Sequence, residues 1–369
     1  MISLRFCAVC AMLAVSSPGQ AETDEEQNRS RNSVNVFQYG AQCNGTFDDT
    51  AAFRRAMAAA PAGGVVNVPA GNCRLTDTVT INGSRPVSLV GSGRGSQIFQ
   101  ASNKTLLQLV GVNAVTIKDL YLGSAATAPG AALIQLTNSH HNRIDNVTML
   151  GGYSGLYLQG SLLNTVVDLR SGVNFGGFFG PASVNKYWVY GERFGNISSN
   201  ANTFLAPVLE GGTNGIYLKD TNGEGSLSIV GGAIEGVSGT ALKLEGTFLP
   251  SAITGVHFEA NGVEDVVLQK SSNVRLSSIL SIKQINVLGD SRNVTISDSM
   301  AQNIFIDVAG GAKRIILQNI TAGFASCGPL GVIPAPGAPG GGSGAGSMNP
   351  LPDRPDIIYT NIANYCGGQ

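Results

Sequence analysis

Asn273-Val-Arg-Leu276, Asn293-Val-Thr-Ile296 and Arg314-Ile-Ile-Leu317 are versions of one phrase, and Val115-Thr-Ile117 carries it earlier in the chain. Each alternates apolar with other residues, the period of a half-buried strand. Aligning the phrases places Phe204, Ile229, Ile253, Leu276, Ile296 and Leu317 in equivalent positions, at steps of 25, 24, 23, 20 and 21 residues. That is the coil length of a solenoid. A leucine-rich repeat would show regular Leu and a recurring Asn, and neither is present. Short strands separated by Gly- and Asn-rich turns instead fit an all-β parallel β-helix, in which each coil pairs with its neighbours and buries one continuous core. The recurrence predicts this solenoid over residues 34–327. One coil is oversized, 37 residues from Val167 to Phe204, and its excess holds Phe175, Phe178, Phe179, Tyr187, Trp188, Tyr190 and Phe194. It reads as a loop projecting from the solenoid.

Composition agrees with that architecture. Gly accounts for 49 of 369 residues and charged residues for only 13%. The balance of 23 Lys and Arg against 24 Asp and Glu leaves no basic stripe for a phosphate backbone, so nucleic acid is not an expected partner. Arg5, the apolar run Phe6–Val15, the break at Pro18-Gly19 and the small Ala21 read as a signal peptide over residues 1–21. The run is shorter than the roughly 20 residues of a spanning helix, no later segment qualifies, and the expected location is secreted or periplasmic. Residues 22–33 form a polar segment, 328–355 a Gly/Pro-rich linker and 356–369 a terminal strap. In an oxidising compartment Cys43, Cys73, Cys327 and Cys366 admit three pairings. Cys43 with Cys73 and Cys327 with Cys366 is favoured, because each bridge would staple one end. One helix is expected, after Asp48 or Asp49 as cap, with Ala52, Phe53, Ala56, Met57 and Ala60 on one face and Pro61 as its stop.

The opening Val36-Phe-Gln-Tyr-Gly-Ala41, Gly45-Thr-Phe-Asp-Asp-Thr-Ala-Ala52 and Gly64-Val-Val-Asn-Val-Pro-Ala-Gly71 resembles that of the pectate-lyase-like superfamily. Polygalacturonases, rhamnogalacturonases, some glucanases and phage tailspikes share it. The resemblance implies a capping helix followed by a right-handed β-helix, a polysaccharide partner and, as in tailspikes, a homo-trimer. The chain departs from the reaction motifs of better-known members: Asn-Thr-Asp, Gly-His-Gly and Arg-Ile-Lys of polygalacturonases and Asp-Pro-His-Asp of mannuronan epimerases are absent. Arg143-Ile-Asp-Asn146 is a faint echo of the Ile-Asp-His of pectate lyases. Standard pectin hydrolysis and alginate epimerisation are therefore not expected.

Glu210, Glu235 and Glu259 each stand six residues after an aligned apolar residue. Equal offsets on successive coils predict stacked carboxylates, about 5 Å apart for neighbours and about 10 Å for the outer pair. These spacings bracket the roughly 5 Å of retaining and roughly 6.5 to 9.5 Å of inverting glycosidases. Crowding would hold a proton on one carboxyl, as a general acid, or recruit calcium, the one cofactor entertained. Tailspike hydrolases likewise use carboxylates on the β-helix face. His257 lies two residues before Glu259 and could orient a carboxylate or act as a base. The alternative is that repeated Glu residues merely keep turns solvated. Tyr187, Trp188 and Tyr190 offer flat faces for stacking against sugar rings, against the alternative of a satellite core or subunit interface. Lyase chemistry would need a cation and a base; Lys219, Asp220, Arg193 and Lys243 are available, but no spacing selects them. Gly91-Ser-Gly-Arg-Gly95 is followed by strand-like residues and reads as a turn; His140-His141 reads as a surface turn. The expected function is polysaccharide cleavage, hydrolase ahead of lyase, with a noncatalytic glycan-binding or adhesin-like protein, or a structural envelope protein, as alternatives.

Overall fold

Alternation buries every second side chain only if a strand has a neighbour on each side and a core beneath it, and successive coils supply both. The computed structural model describes residues 32–171 and 186–327, with side chains through Thr321, and the backbone stretches 332–333, 357–360 and 363–364. It is a parallel β-solenoid of about 11 turns. Strand pairings divide each coil into three parallel sheets. In the first, one inward column runs Val66, Leu89, Ile117, Ile144, Val166, Phe204, Ile229, Ile253, Leu276, Ile296 and Leu317. Every member is at most 1% exposed, so the column is the spine of the core. The six residues aligned in the sequence are register partners in turn. Upstream, the partner of Phe204 is Val166 rather than Val167, which corrects the start of the large coil by one residue.

Two residues after each column member from Ile117 onward, the chain turns from the first sheet into the second through one residue at positive φ. Asp119, Asn146, Asp168, Ala206, Gly231, Gly255, Ser278, Asp298 and Asn319 hold these corners. Asn, Asp and Gly tolerate this conformation best, which explains the Gly- and Asn-rich turns. Corner side chains also join coils: Asn146 donates to Asp119 at 2.7 Å and Asn319 to Asp298 at 2.8 Å. Inside, Asn142, Asn164 and Asn202 form a buried amide ladder, with side-chain nitrogen to oxygen contacts of 3.0 and 2.9 Å. Each satisfies polar groups that the core would otherwise strand.

Among the described residues the α-helix is Thr50–Ala59, with Asp49 at its N-cap position and Ala60 at its C-cap. Ala52, Phe53, Ala56 and Met57 enter the core. Asp49 does not cap it by a side-chain bond. Its buried carboxylate accepts from the backbone of Gln42, Cys43 and Arg74 instead, while Asp48 accepts from Thr50. Beside it Cys43 and Cys73 form a disulfide, which consumes the two thiols of a Cys43, Asp49 and Cys73 cluster and leaves no metal site there. The signal peptide, residues 22–31 of the polar segment, Phe175, Phe178 and Phe179, most of the linker and strap, and the Cys327–Cys366 pairing lie outside the described residues, while Ser33, the last residue of that segment, already opens the first strand, Ser33–Asn35. Gly91–Gly95 is a turn between strands Ser88–Val90 and Ser96–Gln100. His140 and His141 lie outside any strand, His141 at positive φ. No helix among the described residues is long and apolar enough to cross a membrane.

Candidate active site

The strands Val208–Glu210, Ala233–Glu235 and His257–Glu259 are successive rungs of the second sheet. Leu209, Ile234 and Phe258 point inward and are fully buried, which turns the residues on either side outward. Glu210 pairs with Glu235, and Glu235 with Glu259. The three carboxylates therefore stand side by side at the spacing of adjacent strands, about 4.8 Å. Burial, then the neighbouring Glu259 and Glu210, push the Glu235 carboxyl above its ordinary value, against a smaller opposing pull from His257. His257 is exposed and sits in register with Ala233, whose small side chain leaves its flank open. C-terminal to the column the same face becomes an apolar groove lined by Leu280, Ile282, Met300, Gln302 and Thr321.

Tyr187, Trp188 and Tyr190 do not lie on a projecting loop. They belong to the strand Tyr187–Glu192 of the third sheet. Trp188 is only 2% exposed, and its indole nitrogen donates to the Gly211 carbonyl at 2.8 Å. The indole is a core side chain with its one donor spent, so it is not a stacking platform for a sugar. Tyr187 and Tyr190 do face outward, and their rings stack on one another at 4.9 Å and 21°. Tyr157 and Tyr217 flank Tyr190 at 5.3 and 5.5 Å. Much of the ring face is covered by neighbouring rings, so edges and hydroxyls are what reach solvent.

Those hydroxyls end on carboxylates that the sequence reading did not single out. Glu192 accepts from Tyr157, from Tyr190 at 3.0 Å and from Gln159 at 3.2 Å. Glu245 accepts from Tyr217 at 2.6 Å and pairs with Lys243 at 2.9 Å, while Lys243 lies over the Tyr217 ring at 5.0 Å. Burial, with hydrogen bonds into the carboxylates, pushes all three phenols far up. For Glu245 burial works upward, but the hydrogen bonds from Tyr217 and Lys243 outweigh it and hold the carboxyl below its ordinary value. Of the other cations considered, Arg193 is bound to buried Asp220 at 3.3 Å, whereas Lys219 joins the outward face beside Glu245. The missed residues had a sequence signal, since Tyr157-Leu-Gln159, Tyr190-Gly-Glu192, Tyr217-Leu-Lys219 and Lys243-Leu-Glu245 are one outward-inward-outward phrase.

Comparison with known proteins bears on the fold more than on the reaction. Residues 33–160 match the family described as rhamnogalacturonase A/epimerase, pectate lyase-like. No curated protein matches the chain in sequence. Among solved structures, ORF18 of Geobacillus virus E2 is similar at 15% identity and a TM-score of 0.63, over 85% of this chain and 64% of that one. This chain thus spans less than two thirds of the phage protein. PfbA, a surface adhesin of Streptococcus pneumoniae, is similar at 14% identity and a TM-score of 0.57, over 82% of this chain and 94% of that one. DFA-IIIase of Arthrobacter chlorophenolicus A6, solved in complex with DFA-III, is similar at 10% identity and a TM-score of 0.54, over 80% and 85%. At such identities the likeness is one of fold. The matched opening and the solenoid that follows it fit a parallel β-helix of the pectate-lyase-like superfamily.

Proposed function

We propose that the chain is exported, binds a polysaccharide along its solenoid and cleaves it hydrolytically on the second sheet, with Glu235 as general acid and Glu210 or Glu259 as its ionised partner. The observation that carries this reading is the in-register column with its middle carboxyl pushed up and its neighbours alongside. Acid and partner must differ in proton affinity, and environment is what separates chemically identical groups. Neighbouring rungs at about 4.8 Å fit the roughly 5 Å of a retaining pair. Glu235 gives its proton to the leaving glycosidic oxygen while the partner carboxylate attacks the anomeric carbon. Water then displaces the enzyme, and Glu235 takes the proton back. His257, on the next rung, orients the Glu235 proton.

A noncatalytic glycan-binding role is the second reading. It is favoured by the third sheet, where the Tyr157, Tyr190 and Tyr217 hydroxyls are spent on Glu192 and Glu245, and by the likeness in fold to a surface adhesin. Lyase chemistry, with calcium and Lys219 or Lys243, stands behind both.

The test is incubation of the disulfide-bonded protein with acidic and neutral polysaccharides, following reducing ends and the absorbance of unsaturated uronides. New reducing ends without absorbance, lost by at least about 100-fold in Glu235→Gln with binding retained, are expected. Unchanged turnover in that variant would sink the assignment. Absorbance rising with the reducing ends would mean a lyase, and neither signal from folded protein would favour the binding role.

A further inference from the structure

We infer that the acidic segment Glu22-Thr-Asp-Glu-Glu26 of this chain docks beside the cap helix, in a groove at the N-terminal edge of the third sheet, and seals that edge. The first sheet opens with Ser33–Asn35 and the second with Asn44–Asp48, whereas the helix Thr50–Ala59 stands where that coil would supply a strand to the third sheet. The third sheet therefore begins only at Val79–Asn82, which among the described residues pairs with Leu107–Val110 alone. Val79 and Gly83 donate their backbone N–H groups to the next coil at 3.0 Å each, so alternation turns those of Thr80 and Asn82 toward the helix. Between helix and edge strand runs a groove lined by Arg54, Met57, Thr78, Thr80, Asn82 and Arg85. A strand edge left uncovered is a template for pairing with another chain.

Count and charge both select the occupant. In four successive coils five residues separate the third-sheet strand from the first-sheet strand that follows: Asn82 from Ser88, Val110 from Thr116, Thr137 from Arg143 and Gln159 from Thr165. Ser33 is in register with Ser88 through Val65. The same count backward from Ser33 carries residues 24–27 to the third-sheet side, at the flank of the helix. Asn32 already leads that way. Its carbonyl accepts from Val65 at 2.9 Å, and one coil on the Pro86 carbonyl, next to Arg85, accepts from Gly63 at 2.7 Å. Residues 22–31 can span up to about 33 Å when extended, so reach is no obstacle. Residues 22–26 carry four carboxylates. The groove carries the opposite sign. Arg54 and Lys104 share Asp77, which leaves that trio one positive charge in excess, and Arg85 adds a second. Among the described residues only the Nε of Arg85 has a partner, the Ala60 carbonyl at 2.9 Å, so the rest of its guanidinium is open to a carboxylate. Asp48, at the start of the helix, does not compete, because it is turned to Thr50 and Thr76.

Amide hydrogen exchange on the full chain, read by mass spectrometry on the peptide that holds Thr80 and Asn82, tests this. In a variant combining Glu22→Gln, Asp24→Asn, Glu25→Gln and Glu26→Gln that peptide should exchange about fivefold faster, the scale of an exposed ion pair. Val266–Gln269, further along the same sheet, should not change. Salt at about 0.5 M should speed exchange in the natural chain toward that of the variant and leave the variant where it was. Arg85→Gln also removes the bond to Ala60, so it should reduce protection in both backgrounds, but more in the natural one. Unchanged exchange in the neutralised variant would overturn the inference, as would equal effects of Arg85→Gln in the two backgrounds. Faster exchange at Val266–Gln269 as well would mean general loosening and would overturn it too. Protection that rises with protein concentration would overturn it in favour of a segment from a second copy.

Discussion

The second and third sheets carry outward ladders built at the same spacing from the same kind of repeat, yet they are opposite in energetics. On the second sheet identical acids are copied from coil to coil, and the copies repel. On the third, Glu192, Lys219 and Glu245 alternate in sign, and each carboxylate also receives a phenol. A solenoid places equivalent residues next to one another whatever they are. A copied charge therefore stores strain and shifts its own proton affinity, whereas an alternating one locks itself.

The largest expected effect separates the two ladders by chemistry: Glu235→Gln should cost at least about 100-fold in turnover, measured as reducing-end release, while Glu192→Gln should cost far less. A comparable loss in both would mean that the third sheet does the chemistry. Stability should then move oppositely for the same substitution. Glu192→Gln replaces an acceptor of three hydrogen bonds with an amide that turns an N–H toward donors, and should destabilise by about 1 to 3 kcal/mol in chemical denaturation. Lys243→Met removes a pair that is about a quarter exposed on both sides, at 28% and 27%, and should cost less, about 0.5 kcal/mol. No loss in Glu192→Gln would show that the tyrosine network is looser than its hydrogen bonds imply.

The parts that were legible in the sequence were those governed by period. Inward apolar residues and left-handed corners repeat with little variation, so Phe204 through Leu317 could be aligned by eye, and a constant offset then stacked the glutamates. The third sheet hid itself because only its inward Leu repeats. Its outward residues change identity at every coil, and in the coil of Tyr190 even the Leu is replaced by Gly191. Register, not similarity, makes Tyr157, Tyr190 and Tyr217 neighbours, and the step of 38 residues between Val166 and Phe204 breaks the count where it was needed. Trp188 failed for another reason. An aromatic residue next to an insertion suggests a surface, but burial of the indole with its nitrogen on Gly211 is decided by the coil that follows.

The smallest effect is the most direct test of the glutamate column. Because burial and its neighbours raise Glu235, the folded protein binds that proton more tightly than the unfolded chain does. Its contribution to stability is therefore fully present below the ordinary carboxyl value of 4.5 and is lost as pH rises through the elevated one. Glu235→Gln removes the titration and also relieves Glu210 and Glu259. The variant should thus be more stable than the natural sequence at neutral pH, by about 0.5 kcal/mol, the scale of a like-charged cross-strand pair. The gain should shrink as pH falls below the ordinary carboxyl value of 4.5, where Glu235 carries its proton in both states. Salt supplies an independent axis, since at 1 M the screening length falls to about 3 Å, shorter than the rung spacing, and the neutral-pH gain should narrow. A gain that ignored both pH and salt would show that the substitution acts through packing, and that the three carboxylates do not feel one another.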